Sequence, residues 1–177
     1  MLYYAGIGSR KTPDDILDLM TGIAGKLSLQ DYTLRSGHAD GADQAFELGA
    51  FGKAEIYLPW QGFNKDREIL GEAILPQAWA TPIAEKAHPR WKYLSRSAKL
   101  LHARNVHQIF GKEIFSEKSV FVVCWTKNAK GEGGTGQAIR LCKDLAIPVF
   151  DLADPSVYEK LWSFAHTPLD INMPLYQ

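Results

Sequence analysis

Three short glycine-rich stretches hold the residues best suited to chemistry. They are Ala5-Gly6-Ile7-Gly8-Ser9-Arg10, Ser36-Gly37-His38-Ala39-Asp40-Gly41-Ala42-Asp43 and Gly131-Glu132-Gly133-Gly134-Thr135-Gly136-Gln137. Each follows an apolar run that reads as a strand, and each precedes a segment with helical periodicity. Such a junction makes an anion site, because glycine lets the backbone approach a phosphate and the first-turn N–H groups point at it. The first stretch adds the Ser9 hydroxyl and the Arg10 guanidinium, which grips phosphate oxygens in bidentate fashion. The third adds the Thr135 hydroxyl, places Gln137 in a first helical turn, and is the strongest phosphate cradle of the three. In the second, Asp40 and Asp43 either cap the helix they begin or accept hydrogen bonds from a ribose hydroxyl or base edge. A carboxylate repels phosphate, so they are expected at the sugar end. His38 reads as an exposed turn residue or a further donor. Neither the P-loop pattern nor the dinucleotide fingerprint is present: no Lys-Ser or Lys-Thr pair follows the glycines, and the first pair lacks its third glycine.

Two further groups belong with these loops. Arg104 and Asn105 lie on a long helix ahead of the best strand and are expected to turn a polar face into the pocket. Trp60 and Trp125 each follow a strand, where either stacks on a base or packs in the core.

The elements that must position these residues alternate. Leu2–Ile7 reads as the first strand. Thr12 is placed as the cap of a helix with Pro13 at its first position and Ile16, Leu19, Met20, Ile23, Ala24 and Leu27 on its buried stripe. Strands are expected at 32–35, 55–58, 119–125 and 148–152, the 119–125 run being apolar enough for burial on both faces. Helices are expected through Ala42, Ala45, Phe46 and Ala50, across 91–110 (one helix or a broken pair), through Ala138, Leu141, Cys142 and Leu145, and over 155–164. Residues 60–90, interrupted by Pro76, Pro82 and Pro89, read as an irregular insertion or lid. Residues 165–177 read as a C-terminal tail. This is the signature of an α/β fold: a Rossmann-like open parallel sheet with helices on both faces, one domain over 1–177. Ligands of such sheets bind at the carboxyl ends of the strands, where all three glycine stretches fall.

Composition narrows the partners. Hydrophobic residues make up 46% of the 177, enough for a substantial core. No apolar run reaches the roughly 18 residues of a membrane span, and the start has no signal-peptide pattern. A cytoplasmic protein with no membrane partner is expected. Cys124 and Cys142 read as buried free thiols. No Cys or His pair has ligand spacing, so neither a metal nor another cofactor is expected. Twenty basic and twenty acidic residues give zero formal charge, which removes the usual electrostatic footprint of a nucleic-acid binder. One local exception is the cluster Lys86, Arg90, Lys92, Arg96, Lys99 and Arg104.

Together these residues resemble the Smf/DprA–Lonely Guy (SLOG) superfamily of Rossmann-like nucleotide-binding domains, over about residues 3–152. Gly8-Ser9-Arg10 looks like its strand-one turn. Ser36-Gly37 with Asp40-Gly41-Ala42-Asp43, and Ala103-Arg104-Asn105, are similar to motifs of its DNA-processing branch. Gly133-Gly134-Thr135-Gly136 sits at its phosphate loop. The overall arrangement is most similar to small stand-alone members common in phage genomes, which would place the protein in a host cytoplasm. The resemblance implies a nucleotide-derived ligand: a nucleotide, an ADP-ribose-type molecule or a cyclic nucleotide signal, held by Gly6, Gly8, Ser9, Arg10, Ser36, Gly37, Asp40, Asp43, Arg104, Asn105 and Gly133 to Gln137. It also implies a homo-oligomer, with Leu169, Ile171, Met173, Leu175 and Tyr176 of the tail available for an interface. The Lonely Guy phosphoribohydrolases carry Pro-Gly-Gly-x-Gly-Thr-x-x-Glu with a catalytic glutamate. Here Gln137 stands at the threonine and Arg140 at the glutamate. The leading expectation is therefore a binder, which would sequester or sense an antiviral defence signal. The alternatives are a nucleoside monophosphate phosphoribohydrolase using Asp40 or Asp43, and a single-stranded DNA-binding recombination mediator.

Overall fold

The structure, a computed structural model, describes residues 1–131 and 133–168. Six parallel strands form one sheet in the order β4-β3-β2-β1-β5-β6. They are β1 (Leu2–Gly6), β2 (Tyr32–Ser36), β3 (Ala54–Tyr57), β4 (Glu72–Ile74), β5 (Phe121–Cys124) and β6 (Val149–Asp151). The helices between them are α1 (Asp14–Leu29), α2 (Ala42–Ala50), α3 (Ala80–Ala87), α4 (Arg96–Phe110), α5 (Gly133–Asp144) and α6 (Pro155–His166). The expected α/β Rossmann-like architecture is the one found.

Two apolar cores flank the sheet. On one face α1, α2 and α6 bury Leu19, Met20, Ile23, Phe46 and Leu34 around the aromatic stack of Tyr4 on Phe121. On the other, α3, α4 and α5 bury Ala84, Val106, Ile109, Ala138 and Cys142 against Ala5, Val122 and Cys124. Interior strands therefore need apolar residues of both parities, which is why β1 and β5 read as continuous apolar runs rather than alternating ones.

Chain order reverses between β1 and β5: successive strands run outward from β1 on one side and from β5 on the other. The loops leaving β1 and β5 must diverge to opposite faces, and a crevice opens between them.

Residues 60–90 do more than insert. Their central part adds β4 to the sheet edge beside β3, with Glu55 opposite Glu72, and their last part forms α3, packed on α4. The three residues Glu72-Ala73-Ile74 are too few and too polar to announce a strand. Neutral His107 ties this region down: its Nδ1–H donates to the Gly111 carbonyl at 2.8 Å and its Nε2 accepts the Gln77 N–H at 2.9 Å.

Thr12 does not cap α1. Its hydroxyl donates to the Ser9 carbonyl at 2.8 Å, and Pro13 takes the cap position. The segment after residue 90 is a broken pair: a single 3-10 turn at Trp91–Tyr93, then α4, capped by Ser95 accepting from the Ala98 N–H at 3.2 Å. The tail read from residue 165 begins inside α6, and residues 169–177, with the apolar tail positions, lie outside the described residues. No described helix is long and apolar enough to cross a membrane.

Candidate functional site

The crevice at the β1/β5 reversal is a cleft of about 490 Å³. Ile7, Gly8, Ser9, Arg10 and Lys11 line it from the β1–α1 turn, Ala39 from the β2–α2 turn, Asp43 from the first turn of α2, Gly134 and Thr135 from the start of α5, and Ala98, Leu101, His102, Arg104, Asn105 and Gln108 from α4.

The β1–α1 turn is built around Ser9. Its hydroxyl accepts the Lys11 N–H at 3.0 Å, and its carbonyl takes both the Thr12 hydroxyl and the Thr12 N–H. The Ser9 O–H has no acceptor among the described residues and is available to a ligand. Gly8 lets this turn sit flat between the other two: a Cβ there would lie 2.6 Å from the Ala42 Cβ and 3.4 Å from the Trp125 N and O.

Arg104 is the centre of the floor. It is buried, and its Nη1 donates to the Asp43 Oδ2 at 3.2 Å. The same oxygen accepts the Ala39 N–H at 3.2 Å. The guanidinium is seated directly on Gly37, where a Cβ would fall 1.0 Å from Nη1. Burial outweighs the attraction within this pair. It pushes the Asp43 carboxyl up to about 6, against the pull of Arg104 and with a further push from the Glu47 carboxylate. It likewise lowers the Arg104 guanidinium. Among the described residues, Arg104 Nε and Gln108 Nε2 are buried without a partner.

Asn105 clips the far wall: its Nδ2 donates to the Gly134 carbonyl at 3.2 Å, holding the first turn of α5 at the rim. That turn carries the positive end of the helix dipole. His102 is held by Gln137 at 2.8 Å and is pushed toward its neutral form by burial.

The structure thus brings Gly8, Ser9, Arg10, Asp43, Arg104, Asn105, Gly134 and Thr135 to one cleft. The other proposed contacts lie elsewhere. Gly6 is packed under Phe46, where a Cβ would meet the ring at 2.5 Å. Gly37 backs the guanidinium instead of lining the cleft. Ser36 donates its hydroxyl to the Glu47 Oε1 at 2.8 Å and is fully buried. Asp40 is exposed and pairs with Arg67 at 3.3 Å. Gly133 begins α5, and Gly136 lies in it, outside the lining. Gln137 is fully buried, spanning His102 and the Ala84 carbonyl. The third glycine stretch is therefore helix from Gly133 onward, not loop. Its glycines serve close packing, since a Cβ on Gly136 would lie 1.8 Å from the Gly131 carbonyl oxygen.

His38, read as an exposed turn residue, is fully buried in a left-handed conformation (φ 59°), its Nδ1 at 2.8 Å from the Glu47 Oε2. Trp60 packs edge-on to Phe63, and Trp125 packs against the α1 core; neither lines the cleft. Sequence reasoning missed Ile7, Lys11, Ala39, Ala98, Leu101, His102 and Gln108. The α4 residues carry a signal that was there to use: positions 98, 101, 102, 105 and 108 repeat at three- and four-residue steps, one face of a helix.

Cys124 and Cys142 are buried free thiols, both pushed up by burial, Cys142 to about 12, and so are poor nucleophiles. Among the described residues no group of three or more His, Cys, Asp and Glu is placed to hold a metal ion.

A parallel sheet with one chain reversal and a cleft at the reversal defines the Rossmann-like class. Within that class, no family model matches this chain, and no curated protein does. Solved structures similar to it include two of DNA processing protein A. One is DNA processing protein A from Helicobacter pylori, described for its single-stranded DNA binding mode: TM-score 0.59, 18% identity, covering 91% of this chain and 73% of that one. The other is DNA processing protein A (DprA) from Streptococcus pneumoniae: TM-score 0.56, 12% identity, covering 96% of this chain and 62% of that one. The chain shares the fold of these DprA proteins.

Proposed function

We propose that this protein binds a nucleotide-derived ligand through its phosphate or pyrophosphate group in the β1/β5 cleft and releases it unchanged. One observation carries the reading. Among the described residues, the cleft gathers Arg10, Lys11 and Arg104 against a single carboxylate, Asp43, in a chain of zero formal charge. Its volume lies within the roughly 300–1,000 Å³ of small-molecule sites, and its apolar members Ile7, Ala98 and Leu101 suit a base or sugar.

Binding without hydrolysis is favoured by the positions of the carboxylates. Arg140, at the glutamate position of the hydrolase motif, donates its Nε to the Ala87 carbonyl and is outside the cleft. Asp43 is committed to Arg104 and Ala39. A protein of this kind acts as a receptor or a sequestering sponge.

A second reading, single-stranded DNA, is favoured by a different feature. Residues 86–112 contain seven Lys and Arg and no Asp or Glu. Tyr93 stands 75% exposed in the middle of that segment, which supplies the stacking face such strands use.

The test is thermal stabilisation against nucleoside monophosphates, ADP-ribose, cyclic ADP-ribose isomers, cyclic dinucleotides and short oligodeoxythymidylate, with chromatography of the ligand afterwards. A ligand at 100 times its Kd adds about 2.7 kcal/mol, a shift of several degrees for a chain of this size. A shift with intact ligand is the expected result. Release of free base would make the protein a hydrolase, and the absence of any shift would remove the nucleotide reading.

A further inference from the structure

We infer that Asp43 is a built-in competitor for the ligand: its carboxylate occupies the Arg104 contact that a phosphate group takes, so anion binding is coupled to the uptake of one proton by Asp43. The inference builds on the cleft being an anion site.

Three geometric facts lead there. The Arg104 guanidinium is packed on the backbone at Gly37 with less room than one methyl group. Its Nη1 already has the carboxylate at 3.2 Å, while its Nε, buried beside the cleft, has no partner among the described residues; the nearby Gln108 Nε2 is in the same state. Among the described residues, the one carboxylate in the cleft thus satisfies one donor of a buried set and leaves two unmet. A phosphate offers more acceptor oxygens than one carboxylate contact and pairs with a guanidinium in bidentate fashion.

Displacement has a defined proton balance. An anion that takes Arg104 leaves the Asp43 carboxylate buried, still bonded to the Ala39 N–H and close to the Glu47 carboxylate, with its cation neutralised. It then accepts one proton from solvent. Among the described residues, the charged and titratable groups surrounding Asp43 are Arg104 and His102 on α4, Glu47 on its own helix α2, His38 and Asp40 in the β2–α2 loop, Arg10 and Lys11 in the β1–α1 turn, and Arg67, which bridges to Glu47 at 3.5 Å. His102 is the rival titrating group, but burial holds it toward its neutral form. The Asp43 carboxyl itself is already halfway to protonation near pH 6.

The probes are ADP-ribose and short oligodeoxythymidylate, whose backbone charges stay fixed between pH 5 and 8. For whichever binds, the affinity is expected to weaken about 25-fold from pH 5.5 to pH 7.5. Asp43→Asn is expected to bind at both pH values with the wild-type affinity of pH 5.5, and His102→Asn to keep the wild-type pH dependence. Titration calorimetry of the unaltered protein at pH 7, in two buffers of different ionisation enthalpy, is expected to show uptake of close to one proton, and it needs no variant to fold. Binding that is flat with pH and takes up no proton overturns this inference and leaves the anion site standing. A pH dependence that disappears in His102→Asn overturns it in favour of the histidine. No binding of either probe at any pH overturns the anion site itself, and this inference with it.

Discussion

Two buried ion pairs in this molecule have opposite characters. Arg35 donates Nε to the Glu55 Oε2 at 2.8 Å and Nη1 to the Glu117 carbonyl at 2.8 Å, and its guanidinium lies over the Tyr3 ring. Glu55 in turn accepts the Tyr57 hydroxyl at 2.6 Å. Those charges are enclosed and well partnered, and they lock β2 to β3 across the register Arg35–Glu55. Arg104 and Asp43 are enclosed but under-partnered, and burial disfavours the charged form of each. A pair of this kind is poor evidence for stability and good evidence for a site. Its cost can be measured. Unfolded, Asp43 titrates near the ordinary 3.8; folded, near 6. Below pH 3.8 both states hold the proton. Between 3.8 and 6 the unfolded chain has lost a proton that the folded one keeps, so stability falls as pH rises. Above 6 the penalty is complete, about 3 kcal/mol at 1.36 kcal/mol per unit. Asp43→Asn is therefore expected to match the wild type in urea unfolding at pH 3.5 and to exceed it by about that amount at pH 7.5. Equal stabilities at pH 7.5 would mean that the attraction of Arg104 cancels the burial.

Helix α5 shows how an element can satisfy a motif while changing its meaning. Glycine is the weaker helix former by about 1 kcal/mol, so propensity alone makes Gly136→Ala stabilising. The structure reverses the sign. The new Cβ would lie 1.8 Å from the Gly131 carbonyl oxygen, and overpacking of this severity costs about 1–3 kcal/mol or more. The variant is expected to lower the urea midpoint and to weaken ligand binding, because the turn carrying Gly134 and Thr135 must shift; a raised midpoint would refute the close approach. The same element shows what was legible. Strands β1, β2, β3, β5 and β6 and five of the helices follow from periodicity and punctuation, since burial of a sheet face or helix stripe writes a period into the chain. The glycine loops locate the correct strand ends, because a carboxyl-end site needs close backbone approach. What periodicity does not carry is direction. Ser36 and Gln137 read as ligand contacts and His38 as an exposed turn residue or a further donor, yet each is fully buried in a side-chain network that only the packed helices create. Strand β4 is invisible for another reason: it is a three-residue edge strand with exposed Glu72, so no burial pattern marks it.

Over the whole molecule the formal charge cancels, but its distribution does not. All twenty acidic residues lie outside 86–112, and seven of the twenty basic ones lie inside it. The segment spans the end of α3, the 3-10 turn and α4, so it forms one flank of the cleft. Lys86, Arg90, Lys92 and Arg96 are exposed along it, and Lys92 lies over the Tyr93 ring at 5.0 Å. The two functional readings make different demands on this flank. A small phosphate ligand is held inside the cleft by Arg10, Lys11 and Arg104, so distant surface charges reach it only through salt-screened potential, over about 10 Å at 0.1 M ionic strength. A single strand leaving the cleft along α4 places successive phosphates on those lysines and arginines and releases counterions at each, adding about 0.7 to the log–log salt slope per contact. Charge reversal separates the two. The double variant Lys92→Glu, Arg96→Glu changes exposed side chains that touch no core and is expected to leave ADP-ribose affinity within about twofold. If oligodeoxythymidylate binds along this flank, the variant lowers its affinity at least tenfold and reduces its salt slope by about 1.4, the contribution of two phosphate contacts. Equal loss for both ligands would place the small ligand on the flank as well. No loss for either would confine every contact to the cleft.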